Sequence, residues 1–326
     1  MKRIQAIWML LSGIILLIGG CSGQDEASLK EKQRLKIGVM LSDVGLGDQS
    51  FSDAAFMGLM QAQEDLNIFF DYRELTETET YEQGLTELVE EGSDLVIGLG
   101  FMVKESLEKV ALQYPDTTFM LIDETSEQPN VVSLTFKEDE GSYLAGIVAG
   151  MKTNSNVVGF IGGVDSPIIR KFETGYIAGV KASNPQAKVV SQFAGDFGKV
   201  ELGKQIAARM FEQEQVDIVY TAAGFTGTGA LEEAEKQDKL AIGVDSDQFY
   251  LAEKAVLTSM LKNVDAAIYT AIEGYQEQHQ FSAQHLEFGL KENGVGLAPI
   301  RVVPMTDQEE QTFESLKQKM LAEGIQ

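Results

Sequence analysis

From Leu35 onward the chain alternates between two hydrophobic patterns. The first is a set of short apolar runs rich in Val, Ile and Phe: "LKIGVML", "DLVIGLG", "TFMLID", "VVGFIGG", "AKVVSQF", "VDIVYTA" and "LAIGVD". Each is closed by Gly, Asp or another short residue, and apolar side chains stand at consecutive rather than alternate positions. Such runs are strands buried on both faces, as parallel sheets require. The second pattern is longer and amphipathic. It predicts helices over 52–66, 81–91, 104–113, 139–151, 168–181, 200–214 and 228–237, each bounded by a Ser/Thr/Asp start or a Gly/Pro stop. Further on, "VLTSMLKNVDAAIYTAIEGY" reads as a strand and a helix, and "LAPIRVV" as one more strand before a final helix.

Strict alternation of strand and helix predicts an α/β fold built on parallel, doubly wound sheets. The pattern restarts near Asn156 after a long helix, which predicts a second α/β domain. A chain that returns to its first domain after the second has begun joins two lobes through crossing segments. The predicted organisation is residues 35–136 with 260–288 in an N-terminal lobe, and 137–259 with 289–326 in a C-terminal lobe. Ligands of such sheets lie beyond the carboxyl ends of the strands, so functional residues are sought where strands run into loops.

The first 34 residues read differently. Lys2 and Arg3 precede the apolar run "IWMLLSGIILLIGG", which ends at Cys21. This is a secretory leader over residues 1–20, too short and glycine-tipped for a comfortable membrane span of about 20 apolar residues. Cys21 is the only cysteine of the chain, so it has no internal disulfide partner. Residues 21–34 are polar and read as a tether. The 326-residue chain carries 26 basic and 50 acidic side chains, a net charge of −24. Such a surface repels nucleic acid.

"LIGGC" resembles a lipobox, in which the cysteine becomes the lipidated first residue of the mature protein; several acyl chains anchor stably where one does not. "DQSFSDAAFMGL", "EGSYLAGIVAG", "VGFIGGVDSPIIRKFETGYIAGVK", "AAGFTGTGALEEA", "AIGVDSDQ" and "LTSMLKNVD" follow in order. Together they resemble the basic membrane protein family of bacterial lipoproteins, the purine nucleoside-binding proteins of ATP-driven (ABC) importers. The resemblance covers nearly everything from Leu35 onward. It implies a type I periplasmic-binding-protein fold whose two lobes close on guanosine, inosine or adenosine, on the extracytoplasmic face of the membrane, with an ABC permease as partner. Two departures stand out: Ser50-Phe51-Ser52 replaces the family's usual Ser-Phe-Asn, which bears on base choice, and Phe225 stands where a small residue is usual.

The resemblance also implies that aromatic rings sandwich the purine and that a carboxylate grips the ribose. Phe51 and Phe56 lie at the mouth of the first strand; either presents its face to a base, or packs into the core. Phe197 is the candidate for the opposite wall, with Phe225 in reserve. Asp123 ends its strand where a carboxylate accepts hydrogen bonds from a guanine or hypoxanthine edge, and Asp43 closes the first strand similarly. Asp245 is the candidate for the ribose hydroxyls. Lys262 pairs with Asp245 or donates to the ribose. Gly100 and Gly224 admit backbone close to the ligand, or merely make turns.

Catalysis has little to stand on. The two histidines, His279 and His285, fall in a polar late segment, and nothing calls for a cofactor or metal. The enzyme alternative is a calcium-dependent nucleoside hydrolase using Asp43, Asp48 and Asp53. A second alternative is a surface sensor whose partner is a signalling protein.

Overall fold

The computed structural model describes residues 34–325; the leader, Cys21 and nearly all of the tether lie outside them. Two six-stranded sheets form the frame. The first contains β1 (Lys36–Met40), β2 (Phe69–Arg73), β3 (Leu95–Leu99), β4 (Thr118–Ile122), β5 (Val131–Phe136) and β11 (His285–Phe288), in the order β11-β5-β4-β3-β1-β2. The second contains β6 (Val157–Gly162), β7 (Lys188–Phe193), β8 (Ile218–Ala222), β9 (Leu240–Asp245), β10 (Val256–Lys262) and β12 (Val295–Leu297), in the order β12-β10-β9-β8-β6-β7. Every pairing is parallel except that of β10 with the short edge strand β12.

The runs predicted as doubly buried strands are so: β3 and β8 are buried at every position. The predicted helices appear as Phe51–Asp65, Tyr81–Glu90, Lys104–Gln113, Glu138–Lys152, Pro167–Ser183, Val200–Glu214 and Gly224–Lys236. Three strands escape the apolar-run pattern. β2 and β11 lie at the edges of the first sheet, and Phe69 of β2 is 47% exposed. β5 is buried but interrupts its apolar run with Ser133 and Thr135. Both find partners: Ser133 Oγ accepts from Ser126 N at 2.9 Å, and Thr135 Oγ1 lies 2.6 Å from His285 Nε2. The strand predicted in "LAPIRVV" instead covers Val295–Leu297. Pro299, which has no N–H to give a ladder, interrupts the strand pattern, though Arg301 N still donates to Leu257 O of β10 at 2.7 Å.

The chain crosses between the sheets three times, at Lys137, at Asn263 and over 289–294. The crossing predicted at residue 260 falls inside β10, which stays with β9 as far as Leu261; the return to the first lobe comes after Lys262. The crossings bind one another. Lys137 N donates to Phe288 O at 3.0 Å, and Asn263 N to Gly294 O at 2.8 Å.

Candidate functional site

The lobes face each other across a cavity at the carboxyl ends of β1, β3, β4, β8 and β9, where parallel sheets place their ligands. Its first wall is the loop after β1. Asp48 folds that loop by accepting from Ser50 N at 2.9 Å and Ser52 N at 2.8 Å. This satisfies orphan amides at the start of the helix Phe51–Asp65. Asp53 in turn accepts from Gly47 N at 2.8 Å and Gln49 N at 2.9 Å. The two carboxylates fix where the helix begins, and Phe51, its first residue, lines the cavity.

Gly100 follows β3 with φ +90°, and a Cβ there would sit 3.6 Å from the Phe51 ring. The left-handed backbone accounts for the glycine. Phe56 turns away: its ring packs edge-on against Phe70 at 5.5 Å and Tyr72 at 5.9 Å between centroids. Phe56 is half-buried and is not among the residues lining the cavity. Ser52 is likewise behind the wall, fully buried, with its hydroxyl 2.7 Å from that of Ser42, which does line the cavity.

The opposite wall comes from the second lobe. Phe197 follows β7 and lines the cavity, its ring edge-on to Phe101 of the first lobe at 6.4 Å. Gly163 makes room for it: a Cβ there would fall 2.2 Å from the Phe197 ring. Gly224 lines the cavity beside it. Phe225 is not among the lining residues; it lies in the helix Gly224–Lys236, where its carbonyl accepts from Thr228 Oγ1 at 2.8 Å. Phe101 and Phe172 are walls that the sequence reading missed. Phe172 sits mid-helix at an apolar position, where a core side chain gives the same pattern.

A buried charge cluster closes one end. Lys262, 2% exposed, ends β10 and places Nζ 2.6 Å from Asp123 Oδ2 and 3.3 Å from Glu138 Oε1. The ammonium also lies over the rings of Phe51, Phe136 and Phe172, at 5.0–5.6 Å from their centroids. Burial by itself would lower the lysine pKa; Asp123, Glu138 and Asp245 more than reverse this and push it to about 12. Asp123, read from sequence as a base acceptor, therefore meets a cation of the chain itself. Within the chain Lys262 bonds Asp123, and of the partners foreseen for it Asp245 acts on it through charge alone.

Asp245 is buried at the end of β9 and accepts from the Ser50 hydroxyl of the other lobe. Burial pushes its carboxyl up to about 6, against the opposing pull of Lys262 and the Ser50 hydrogen bond. Asp123 and Asp245 both hold left-handed backbone, φ +72° and +64°, a conformation Asp tolerates better than most residues and one concentrated at functional sites. Asp43 also lines the cavity; burial, then the charge of Asp196, raises its pKa against the backbone hydrogen bonds it accepts.

The constellation foreseen for a hydrolase does not assemble. Asp48 and Asp53 give their carboxylates to backbone amides, as above, and among the described residues no group of three or more His, Cys, Asp or Glu is placed to hold a metal ion. His285 lies in an edge strand and His279 ends a helix, both outside the cavity lining. Among the described residues no helix is long and apolar enough to cross a membrane.

With this geometry in place, known proteins can be set beside it. The family described as Bmp, ABC transporter substrate-binding protein PnrA-like, matches residues 35–326. A "CD4+ T-cell-stimulating antigen" of Listeria innocua is 35% identical, over 89% of this chain and 88% of its own. The "ABC transporter nucleoside-binding protein BmpA" of Lactococcus lactis subsp. cremoris is 31% identical, over 91% of each. Among solved structures, an ABC transporter solute-binding protein of Aeropyrum pernix superposes with a TM-score of 0.80 at 28% identity, covering 88% of this chain and 91% of that one. The two parallel sheets of this chain and its crossing segments are those of the type I periplasmic-binding-protein fold. The chain belongs to the PnrA-like family of ABC transporter substrate-binding proteins.

Proposed function

We propose that this protein captures a purine nucleoside between its lobes and delivers it to an ABC permease, without chemical conversion. Cys21, lipid-modified, would hold it at the extracytoplasmic face of the membrane, a reading that rests on "LIGGC" alone. One observation carries the ligand class: two phenylalanines from different lobes, Phe51 and Phe197, line one cavity together with the buried carboxylate of Asp245. Aromatic faces suit a base, where stacking contributes about 1–3 kcal/mol. A carboxylate that can accept from two vicinal hydroxyls suits a ribose. The nucleoside-binding name of the Lactococcus relative supports the same class.

Closure is the mechanism. A ligand shifts the open–closed equilibrium only through contacts it makes better in one state, so walls on both lobes are what couple binding to closing. The lobes also contact each other directly: Ser50 donates to Asp245, Gln248 Nε2 to Gln49 O at 3.0 Å, and Lys262 to Asp123. The decisive experiment is mass spectrometry of small molecules released on denaturing the purified protein, followed by calorimetry with inosine, guanosine and adenosine. A released purine nucleoside that rebinds intact supports the proposal. Release of free base or of an unrelated solute, or no binding of any of the three, would overturn it.

A further inference from the structure

The cavity holds two sets of polar residues, one about Asp245 and one about Asp43, and beside the second a hydroxyl has no partner in the protein. In the Asp245 set, the neighbouring charges bearing on the carboxylate are Lys262, Asp48 and Asp123, and Ser50 supplies a hydrogen bond. In the other set stands Asp43, whose carboxylate is bonded by the backbone amides of Asp43 and Val44 and whose charged neighbour is Asp196 of the opposite lobe. Beside it, Tyr81 lines the cavity with a hydroxyl that is buried and has no hydrogen-bond partner. Buried polar groups are nearly always partnered, and an orphan needs a reason.

The fold supplies no other use for this hydroxyl. Tyr81 opens the helix Tyr81–Glu90, but that helix is capped by its neighbour Thr80, whose Oγ1 accepts from Gln83 N at 3.2 Å. The Tyr81 ring packs against the apolar cluster built on Leu85, Leu88 and Leu107, which anchors the ring and fixes the direction of the hydroxyl. Burial, followed by the negative charge of Asp43, raises the phenol pKa, so the group is a hydrogen-bond donor. Donor and acceptor thus line the same cavity, with the Asp43 charge felt at the Tyr81 phenol and no hydrogen bond between them.

We propose that Tyr81 is a specificity-determining residue of the site, donating its hydroxyl to the exocyclic oxygen of a 6-oxopurine whose ring N1–H is accepted by Asp43. This deepens the reading above and rests on it. With the ribose hydroxyls on Asp245 and the ring between Phe51 and Phe197, the six-membered ring of the purine points to Asp43. A 6-oxopurine presents a carbonyl acceptor adjacent to an acidic ring N–H, the complement of a phenol beside a carboxylate. Adenine inverts both roles, with an amine donor at C6 facing the phenol donor and an acceptor lone pair at N1 facing the carboxylate. A site built to bond a polar substituent discriminates strongly against ligands that lack it.

The test is calorimetry of the parent and Tyr81→Phe with inosine, adenosine and purine riboside, which has no substituent at C6. Thermal melting of Tyr81→Phe checks its folding; since the hydroxyl has no protein partner, the midpoint should match the parent. The proposal expects parent binding tightest for inosine, a loss of about tenfold for inosine in the variant, and changes under about twofold for the other two. Inosine binding unchanged in Tyr81→Phe would overturn it, as would an equal loss for all three ligands. A parent that binds none of the three removes the nucleoside reading and this inference together, whereas failure in the variant alone removes only the role of Tyr81.

Discussion

The two lobes share one plan, and one pair of equivalent residues within it has different partners. Laid side by side, the strand orders β11-β5-β4-β3-β1-β2 and β12-β10-β9-β8-β6-β7 put β4 opposite β9. Asp123 follows the first and Asp245 ends the second, each in left-handed backbone and each reaching across to the other lobe. Their partners differ. Asp123 meets a full positive charge, Lys262, whereas Asp245 meets a neutral hydroxyl, that of Ser50. One carboxylate is therefore neutralised inside the protein and acts between lobes. The other is buried with capacity to spare, which is what a ligand's hydroxyls need. Equivalent places in a repeated frame acquire different roles through what faces them.

Breaking the charged side of this comparison should have the largest effect. Lys262→Met leaves Asp123, Glu138 and Asp245 buried without their central cation, and removing one member of such a cluster costs about 3–5 kcal/mol. Urea unfolding should show that loss, while Asp245→Asn, which keeps a hydrogen-bonding side chain and deletes a charge, should leave stability unchanged or raised. Equal losses in the two variants would erase the distinction. Next come the walls: Phe51→Ala and Phe197→Ala should each weaken inosine binding about tenfold or more by calorimetry. If either variant binds like the parent, the sandwich lacks that wall.

The pH dependence sharpens the neutral side. The carboxyl of Asp245 titrates near 6 in the folded protein against 3.8 ordinarily, so the native state holds an extra proton between those values. Ligand-free stability should fall as pH rises through that window and level off above about 6. Nucleoside affinity should run the other way, weakening as pH drops below about 6 and the acceptor is lost. Asp245→Asn should flatten both profiles and erode the preference for ribonucleosides over 2′-deoxyribonucleosides. A parent affinity unchanged from pH 7 to pH 5 would take Asp245 out of the ribose site. The smallest effect on binding belongs to Phe56→Ala: affinity within about twofold of the parent, with a loss of stability from its contacts with Phe70 and Tyr72.

Much of the frame was legible because it depends on local pattern. Doubly buried parallel strands need unbroken apolar runs, and those runs gave the α/β class, seven strands and the helix limits to within a few residues. Edge strands β2 and β11 carry polar residues because one side faces water or the sheet's end, so the same pattern passes over them. The site was legible as strand-end residues: Asp43, Phe51, Gly100, Asp123, Phe197, Gly224, Asp245 and Lys262 all line the cavity. Phe56, Ser52 and Phe225 were drawn in by proximity in sequence to residues that do. A helix turns by about 100° per residue, so neighbours in sequence face different ways.

By itself, the sequence determined the lobes, the mouths at which ligand residues gather, and the acidic, single-cysteine character of the chain, since each follows from neighbours along the backbone. Only the tertiary structure decided partnership. That Lys262 pairs with Asp123, that Glu138 lies buried beside them, and that the Tyr81 hydroxyl is left without a partner are outcomes of packing elements distant in the chain. Charge and hydrogen-bond balance are settled by distance through space, and the residues concerned are separated by tens to more than a hundred positions in the chain.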